Sequence, residues 1–550
     1  MRDFKSRGHI FDEQREKNDE LPRFCGELAF FVQRARRHHT LLQIKFVTLQ
    51  PVCATYTNNI THTTKTNLKH HISRPLQPLG LWASAMPIVL LLASLAGIIF
   101  FRGADAISAF SPYALLLSAI FAGILALWKG SVNRRSLVVG FRRSARQILP
   151  AVPMLVFIAM VSTTWMLSGV VPTLIDYGLR LLSPALFLFV SCAVCAVISV
   201  LTGSSWSTIA TIGVAFMGIG TVMGFHPGWT AGAIISGAYF GDKVSPLSDT
   251  TVVASSACGV DLFRHIRYLM LTAAPAMTIA LVVFLAAGFF AGTEGAMDTA
   301  TITGALSEHF NLSAWTLIIP VLTITMIVLR IPTLLTLFIS AMLGLGGIFV
   351  FQPQIVEMIG GASAQSIWNV LWSETLFSTG IATFDDLVST GGITGMLPTI
   401  ALVLCAMLFG TAMIAGGMIS GLTAALASRI RRRFSIVGTT VAGGLFINSC
   451  TADQYLSIII GGNMFRNIYR RYGLEPKLLS RTLEDSVSVT SVLIPWNSCG
   501  VTQSTVLGVS TLVYLPFCVF NYLSPVMTLL MAYTGYRIRQ NRREPVAVGA

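Results

Sequence analysis

Apolar runs recur along the chain, each close to the ~20 residues a helix needs to cross the hydrocarbon of a bilayer. They fall at 81–101, 110–128, about 150–170, 183–201, 271–291, 314–329, 331–351, 396–418, 501–520 and 522–536. Only Arg330 separates the sixth from the seventh, which fits a tight turn or one kinked element. The intervals between runs are mostly basic. Arg134, Arg135, Arg142 and Arg143 lie in 129–146 without an acid, and Arg264, His265 and Arg267 follow Asp261 in what reads as a turn. Arg429, Arg431, Arg432 and Arg433 close a later run, as do Arg537, Arg539, Arg542 and Arg543 at the end. Basic intervals stay on the cytoplasmic side, so both termini are expected inside. Leu137, Val138, Val139 and Phe141 suit the 129–146 interval either to the membrane surface or to a solvated loop. Residues 352–394, with Asp385 and Asp386, are less apolar and read as amphipathic surface or loop material.

Two stretches interrupt the apolar pattern with polar residues at membrane depth. The first, 203–261, has Gly-rich apolar arms around Gly241-Asp242-Lys243-Val244-Ser245-Pro246-Leu247-Ser248-Asp249-Thr250-Thr251. No acid precedes Asp242 back to Asp176. Ionisable groups inside a membrane cost several kcal/mol and mark ion or substrate pathways. Gly and Pro beside them predict a helix interrupted mid-membrane, with free backbone carbonyls. The second stretch opens with Asn448-Ser449-Cys450-Thr451-Ala452-Asp453-Gln454 and a short apolar segment to Gly462. A basic connector with Arg466, Arg470, Arg471 and Lys477 follows, then Glu484-Asp485-Ser486 and Pro495-Trp496-Asn497-Ser498. The order is the same in both: hairpin-like polar element, connector, interrupted helix. The first connector, about 224–233, is uncharged and the second is basic, which places them on opposite faces. The fold class expected is therefore an all-α polytopic membrane protein of two inverted repeats, with re-entrant hairpins and interrupted transmembrane helices. Its parts are a polar basic tail (1–78), a first repeat (79–292), a connecting segment (293–313), a second repeat (314–537) and a C-terminal tail (538–550).

Composition agrees with a membrane setting. Only 11% of the 550 residues are charged, 53% are hydrophobic and the mean hydropathy is +0.70, against roughly 25% charged in soluble domains. The net charge of +14 sits in loops and tail, so no nucleic-acid partner is expected. Cys192-x-x-Cys195 lacks a second pair and lies in an apolar run, which reads as small core residues and not as a metal or redox site. The tail holds six of the nine histidines and reads as a disordered cytoplasmic segment without a signal peptide. The protein is expected not to be an enzyme: HExxH, GxSxG and P-loop motifs are missing from the sequence.

Five segments carry a resemblance: GAYFGDKVSPLSDTT, GVDLFRHIR, DQYLSI at 453–458, LSRTLEDS and IPWNSCG. They resemble the NhaC family of sodium/proton antiporters, which includes malate/lactate exchangers, over roughly 80–537. The resemblance implies Na⁺/H⁺ exchange across the cytoplasmic membrane, with a carboxylate exchanger coupled to Na⁺ or H⁺ as the alternative. Two positions depart from the family pattern, Val252 after SDTT and Ala452 before Asp453, where Asn and Gly are usual. Sodium is a hard cation that takes oxygen ligands. Asp242, Asp249, Asp453 and Glu484 are the candidate carriers, Asp242 and Asp249 foremost for Na⁺, with Asp485 behind them. Ser204, Ser205, Ser207, Thr208, Ser245, Ser248, Thr250, Thr251 and Asn497 are candidate supporting ligands. For each acid a structural ion pair is the alternative, with Lys243 beside Asp242 and Arg481 near Glu484 as partners. Lys243 would serve the anion of a carboxylate exchanger. The partners expected are Na⁺, H⁺ and membrane lipid, with small carboxylates as the alternative; a homodimer is compatible, and no cofactor is expected.

Overall fold

The computed structural model of the chain describes residues 79–538 apart from 104–105, 150, 291–298, 330, 378–384, 386–387, 420 and 422–432. The tail at 1–78, Asp386, the basic residues at 429–432 and the C-terminal arginines at 539–543 lie outside the described residues. The described residues fall in one compact unit, 77–550. They are helical throughout, apart from a single bridge between Thr375 and Thr390. Eight of their helices are long and apolar enough to cross a membrane, and three bent pairs raise the number to eleven.

The chain opens with α1 (Leu81–Arg102), α2 (Ala106–Trp128) and α3 (Arg134–Ile148). The Asn133 side chain caps α3 by accepting from the Ser136 amide at 2.8 Å. The basic interval is thus a helix, with Leu137 against the core and Val138 and Val139 exposed. Next come α4 (Ala151–Leu167) and α5 (Val170–Leu181), bent by 64°. They are followed by α6 (Pro184–Thr202), α7 (Ser205–Val222), α8 (Pro227–Val244), α9 (Asp249–Cys258) and α10 (Leu262–Phe290). Beyond it lie α11 (Thr299–His309), α12 (Ile318–Val328), α13 (Thr333–Phe351) and α14 (Leu397–Ala415). The last group is α15 (Arg433–Thr451), α16 (Gln454–Arg471), α17 (Pro476–Leu483), α18 (Ser498–Leu507) and α19 (Val519–Thr534).

Four boundaries differ from the sequence reading. Arg264, His265 and Arg267 form no turn: they sit in the first turns of α10, where Asp261 accepts from the Arg264 amide at 2.9 Å. Arg466, Arg470 and Arg471 belong to α16, so that connector shrinks to the turn around Gly473. The uncharged connector likewise ends where Pro227 starts α8. The run at 501–520 is broken after α18, because Gly508 takes the left-handed conformation that closes a helix. The segment read as amphipathic surface or loop contains two short helices, Pro353–Met358 and Ala364–Trp372.

The halves interlock. Helix α2 of the first packs along α14 of the second, while α13 of the second packs along α4 of the first. Within the first half α8 lies close against α6, because Gly237 and Gly241 let the backbones meet. A Cβ at either would fall 2.1 Å from the Cys192 carbonyl oxygen or 2.4 Å from that of Ala196. Cys192 and Cys195 are fully buried and free, core residues as expected.

Candidate functional site

Four helix ends converge where the polar stretches lie. In the first half α6 stops at Thr202, Gly203 turns the chain at φ +67°, and Ser204 caps α7. Helix α8 stops at Val244, a turn over Ser245-Pro246-Leu247 follows, closed by the Ser248 amide on the Ser245 carbonyl, and Ser248 caps α9. In the second half α15 stops at Thr451, Ala452 turns the chain at φ +54°, and Asp453 caps α16. Helix α17 continues into a π-helical turn at Glu484–Ser488, and after Pro495-Trp496 the Asn497 side chain caps α18.

These breaks repeat one hydrogen-bond frame at a constant interval of 249 positions. Thr202 donates to the Ser204 carbonyl at 3.2 Å, and Thr451 to that of Asp453 at 3.1 Å. Thr208 donates to the Ser204 carbonyl at 2.9 Å, and Ser457 to that of Asp453 at 2.6 Å. Ser199 donates to the Ala238 carbonyl at 2.6 Å; its counterpart Asn448 donates to that of Val487 at 2.9 Å. Ser205 donates to Asp242 at 2.8 Å, and Ser491 to Gln454 at 3.3 Å across the equivalent pair of positions. Pro227 and Pro476, Pro246 and Pro495, and the left-handed Gly259 and Gly508 keep the same interval. The backbone plan is therefore duplicated while most side chains differ. The paired prolines and glycines are the signal in the sequence that would have fixed this register, which order and charge alone did not.

The ionisable groups are not duplicated. Asp242 is buried at the end of α8, with Ser205 on one carboxylate oxygen. Glu484, fully buried, comes from the other half. Among the described residues neither of its oxygens closes a hydrogen bond, and around it stand the hydroxyls of Thr250 and Ser488 and the charges of Lys243 and Asp242. Thr250 itself shares a hydrogen bond with Ser248 at 3.0 Å. The structure thus gathers Asp242, Glu484, Ser205, Ser248 and Thr250.

Other predicted positions have framing roles. Ser204 and Asp453 cap helices, Asp453 accepting from the Leu456 amide at 2.8 Å. Ser207 donates to Ser204 at 3.2 Å. Ser245 holds the Val200 carbonyl at 2.7 Å, and Thr251 the Lys243 carbonyl at 3.0 Å. Asn497 caps α18 through the Cys499 amide and donates to Asn448 at 2.9 Å. Asp249 sits exposed in the first turn of α9, where a negative charge suits the helix terminus. Tyr455 stands within electrostatic reach of Asp242, Asp249 and Asp453.

The ion pairing differs from the expectation. Lys243 turns away from its neighbour and pairs with Asp485 of the other half, both side chains being fully buried. Asp485 also accepts from Ser524 at 2.8 Å, from Thr272 at 3.0 Å and from Thr528. Arg481 directs Nε to within 4.0 Å of Asp485, not of Glu484, and lies over the Tyr268 ring at 4.4 Å. Thr272, Ser524 and Thr528 escaped the sequence reading, since hydroxyls on apolar helices give no local signal.

A sequence model of the Na⁺/H⁺ antiporter family matches residues 39–268 and again 237–536. The chain is 36% identical over 421 residues to the Na(+)/H(+) antiporter NhaC of Alkalihalophilus pseudofirmus, which covers 76% of this chain and 88% of that one. It is 34% identical over 458 residues to the arginine/ornithine antiporter ArcD of Halobacterium salinarum, 82% of this chain and 92% of the relative. It is 33% identical over 390 residues to the malate-2H(+)/Na(+)-lactate antiporter of Bacillus subtilis, 70% and 81%.

Proposed function

The chain belongs to the Na⁺/H⁺ antiporter family, and from that premise we propose that it exchanges Na⁺ for H⁺ across the cytoplasmic membrane at one locus shared by its two halves. Glu484 carries this reading. A fully buried carboxylate with no paired cation among the described residues, and only the hydroxyls of Thr250 and Ser488 close by, is costly as a bare anion. It is accommodated when it holds a cation or a proton, and an antiporter needs that alternation. Asp242, reached by Ser205, supplies the second carboxylate. The hydroxyls of Ser248, Thr250 and Ser488 supply oxygen suited to a hard ion. With the locus deprotonated its oxygens bind Na⁺. A proton on either carboxylate removes the charge and expels the ion, so one site couples both fluxes. Charge placement supports a topology in which both termini and the helix α3 are cytoplasmic and the halves are inverted.

A carboxylate exchanger is the second reading, motivated by the malate/lactate relative. Its anion would need a cation at the locus. Lys243, the ammonium that acts on Glu484, is held by Asp485, which favours the first reading. Purified protein in proteoliposomes decides between them. Addition of NaCl alone should collapse an imposed pH gradient, and Glu484→Gln should abolish the collapse. A collapse that requires malate or lactate would overturn the Na⁺/H⁺ reading.

A further inference from the structure

At the second break the structure contains a cavity of about 320 Å³ that the exchange reading does not use. Its wall includes Pro495, two residues before the Asn497 cap, and the Ser504–Thr505 face of α18. Opposite stand Ser111 of α2 and Thr399 of α14; Thr399 and Thr505 share a hydrogen bond at 2.6 Å. Two wall hydroxyls, Ser510 and Ser111, have no partner among the described residues, and Ser111 is only 1% exposed. A buried hydroxyl left unpaired is costly. A space of this size, walled by apolar side chains such as Leu402 and Val501 as well as by these hydroxyls, has room for on the order of ten waters. That is room for a small ion with much of its hydration shell.

The cavity's membrane side follows from three helices. From Ser111, α2 runs toward Trp128 and the arginine-bearing α3. From Thr399, α14 runs toward the basic segment before α15. After Ser510 the chain enters α19, which ends beside Arg537. In each case the cavity is at the end opposite the basic, cytoplasmic one. We propose that this cavity is the outer vestibule, through which a hydrated monovalent cation reaches the carboxylate locus past Pro495, with the hydroxyls of Ser111, Thr399, Ser504 and Thr505 replacing part of its water. The identity of the ion rests on the exchange reading above; the existence of an outer mouth does not.

Single substitutions Ser504→Cys and Thr505→Cys in the full-length chain test it, with the unsubstituted protein as the control for native cysteines. A cationic, membrane-impermeant thiol reagent is applied to intact cells and to inverted vesicles. Both variants should react from the outside and then lose most exchange, and NaCl should slow the reaction severalfold. Ser256→Cys, the counterpart of Thr505 249 positions earlier and exposed on α9, should react in inverted vesicles only. Reaction of Ser504→Cys and Thr505→Cys from the cytoplasmic face alone overturns the proposal. So does reaction from outside that leaves exchange intact and is indifferent to every transported ion. If protection follows another substrate in place of Na⁺, the exchange reading fails while the vestibule stands. Should Thr505→Cys fail to reach the membrane, Ser504→Cys carries the same test alone.

Discussion

The two breaks share a backbone and divide a chemistry. Position for position, the first carries Asp242, Lys243 and Asp249 where the second has Ser491, Val492 and Ser498. The second carries Asp453, Glu484 and Asp485 where the first has Ser204, Ile235 and Ser236. Each ionisable position is charged in one half only. Two equal half-sites would form two identical loci, each with half of what an exchange reaction needs. Divided in this way, the charges meet once: Asp242 near Glu484, and Lys243 on Asp485. Repetition thus supplies the frame, and asymmetry supplies the proposed exchange locus.

The largest effect should come from removing the charge that lacks a partner. Glu484→Gln keeps size and deletes the titrating group, so exchange should vanish at every pH with normal membrane abundance, and Asp242→Asn should behave alike. Proton flux in proteoliposomes reads this. Unaltered pH profiles in both variants would move the locus to Asp249 and Asp453 and end the contrast between the halves. Next in size is the charge that has a partner. Lys243→Met strands the buried Asp485 and should cost about 3–5 kcal/mol of stability, read as lower melting temperature and abundance. Lys243→Met with Asp485→Leu should recover most of that stability, whereas pairing Lys243→Met with Glu484→Gln should not.

A smaller effect sharpens the functional side. If one locus takes either cation, apparent sodium affinity should weaken about tenfold per pH unit below the pKa of the locus. Sodium titrations of proton flux across a pH series would show it, and a sodium affinity that ignores pH would separate the two ions. The smallest effect concerns the turns. Ala452 adopts a left-handed φ of +54° where its counterpart is Gly203 at +67°. Ala452→Gly should stabilise by about 1 kcal/mol. Gly203→Ala should destabilise by more, since its Cβ would lie 2.6 Å from the Leu247 carbonyl carbon. Thermal melts in detergent compare the two, and equal shifts would mean the turns are not equivalent.

Much of this architecture was legible in the sequence because its causes are local. Apolar length marks the spans, Gly and Pro mark the interruptions, and acids amid Ser and Thr mark the locus. The family departure at Ala452 falls on the one turn in the duplicated frame where glycine is replaced. What the sequence hid is what depends on direction. Asp242 and Lys243 are neighbours in the chain, yet consecutive helical residues do not face each other. One turns to Ser205, the other to a carboxylate in the opposite half. Arg481 stands three before Glu484 and four before Asp485, both spacings that share a face, so the sequence alone left its partner open and only the structure turns it to Asp485. The vestibule was out of reach as well, because its walls come from α2, α14 and α18, which no sequence motif connects.

The bond between Lys243 and Asp485 also has a mechanical side. It fastens the end of α8 to the turn that follows α17, with Thr272 of α10 and Ser524 and Thr528 of α19 gripping the same carboxylate. Prising these pieces apart would expose two opposite charges to hydrocarbon, at a cost of several kcal/mol. On the exchange reading proposed above, a displacement that carries an ion from one face to the other is expected to leave this fastening shut. The end of α8 and the turn after α17 would then move together as one piece.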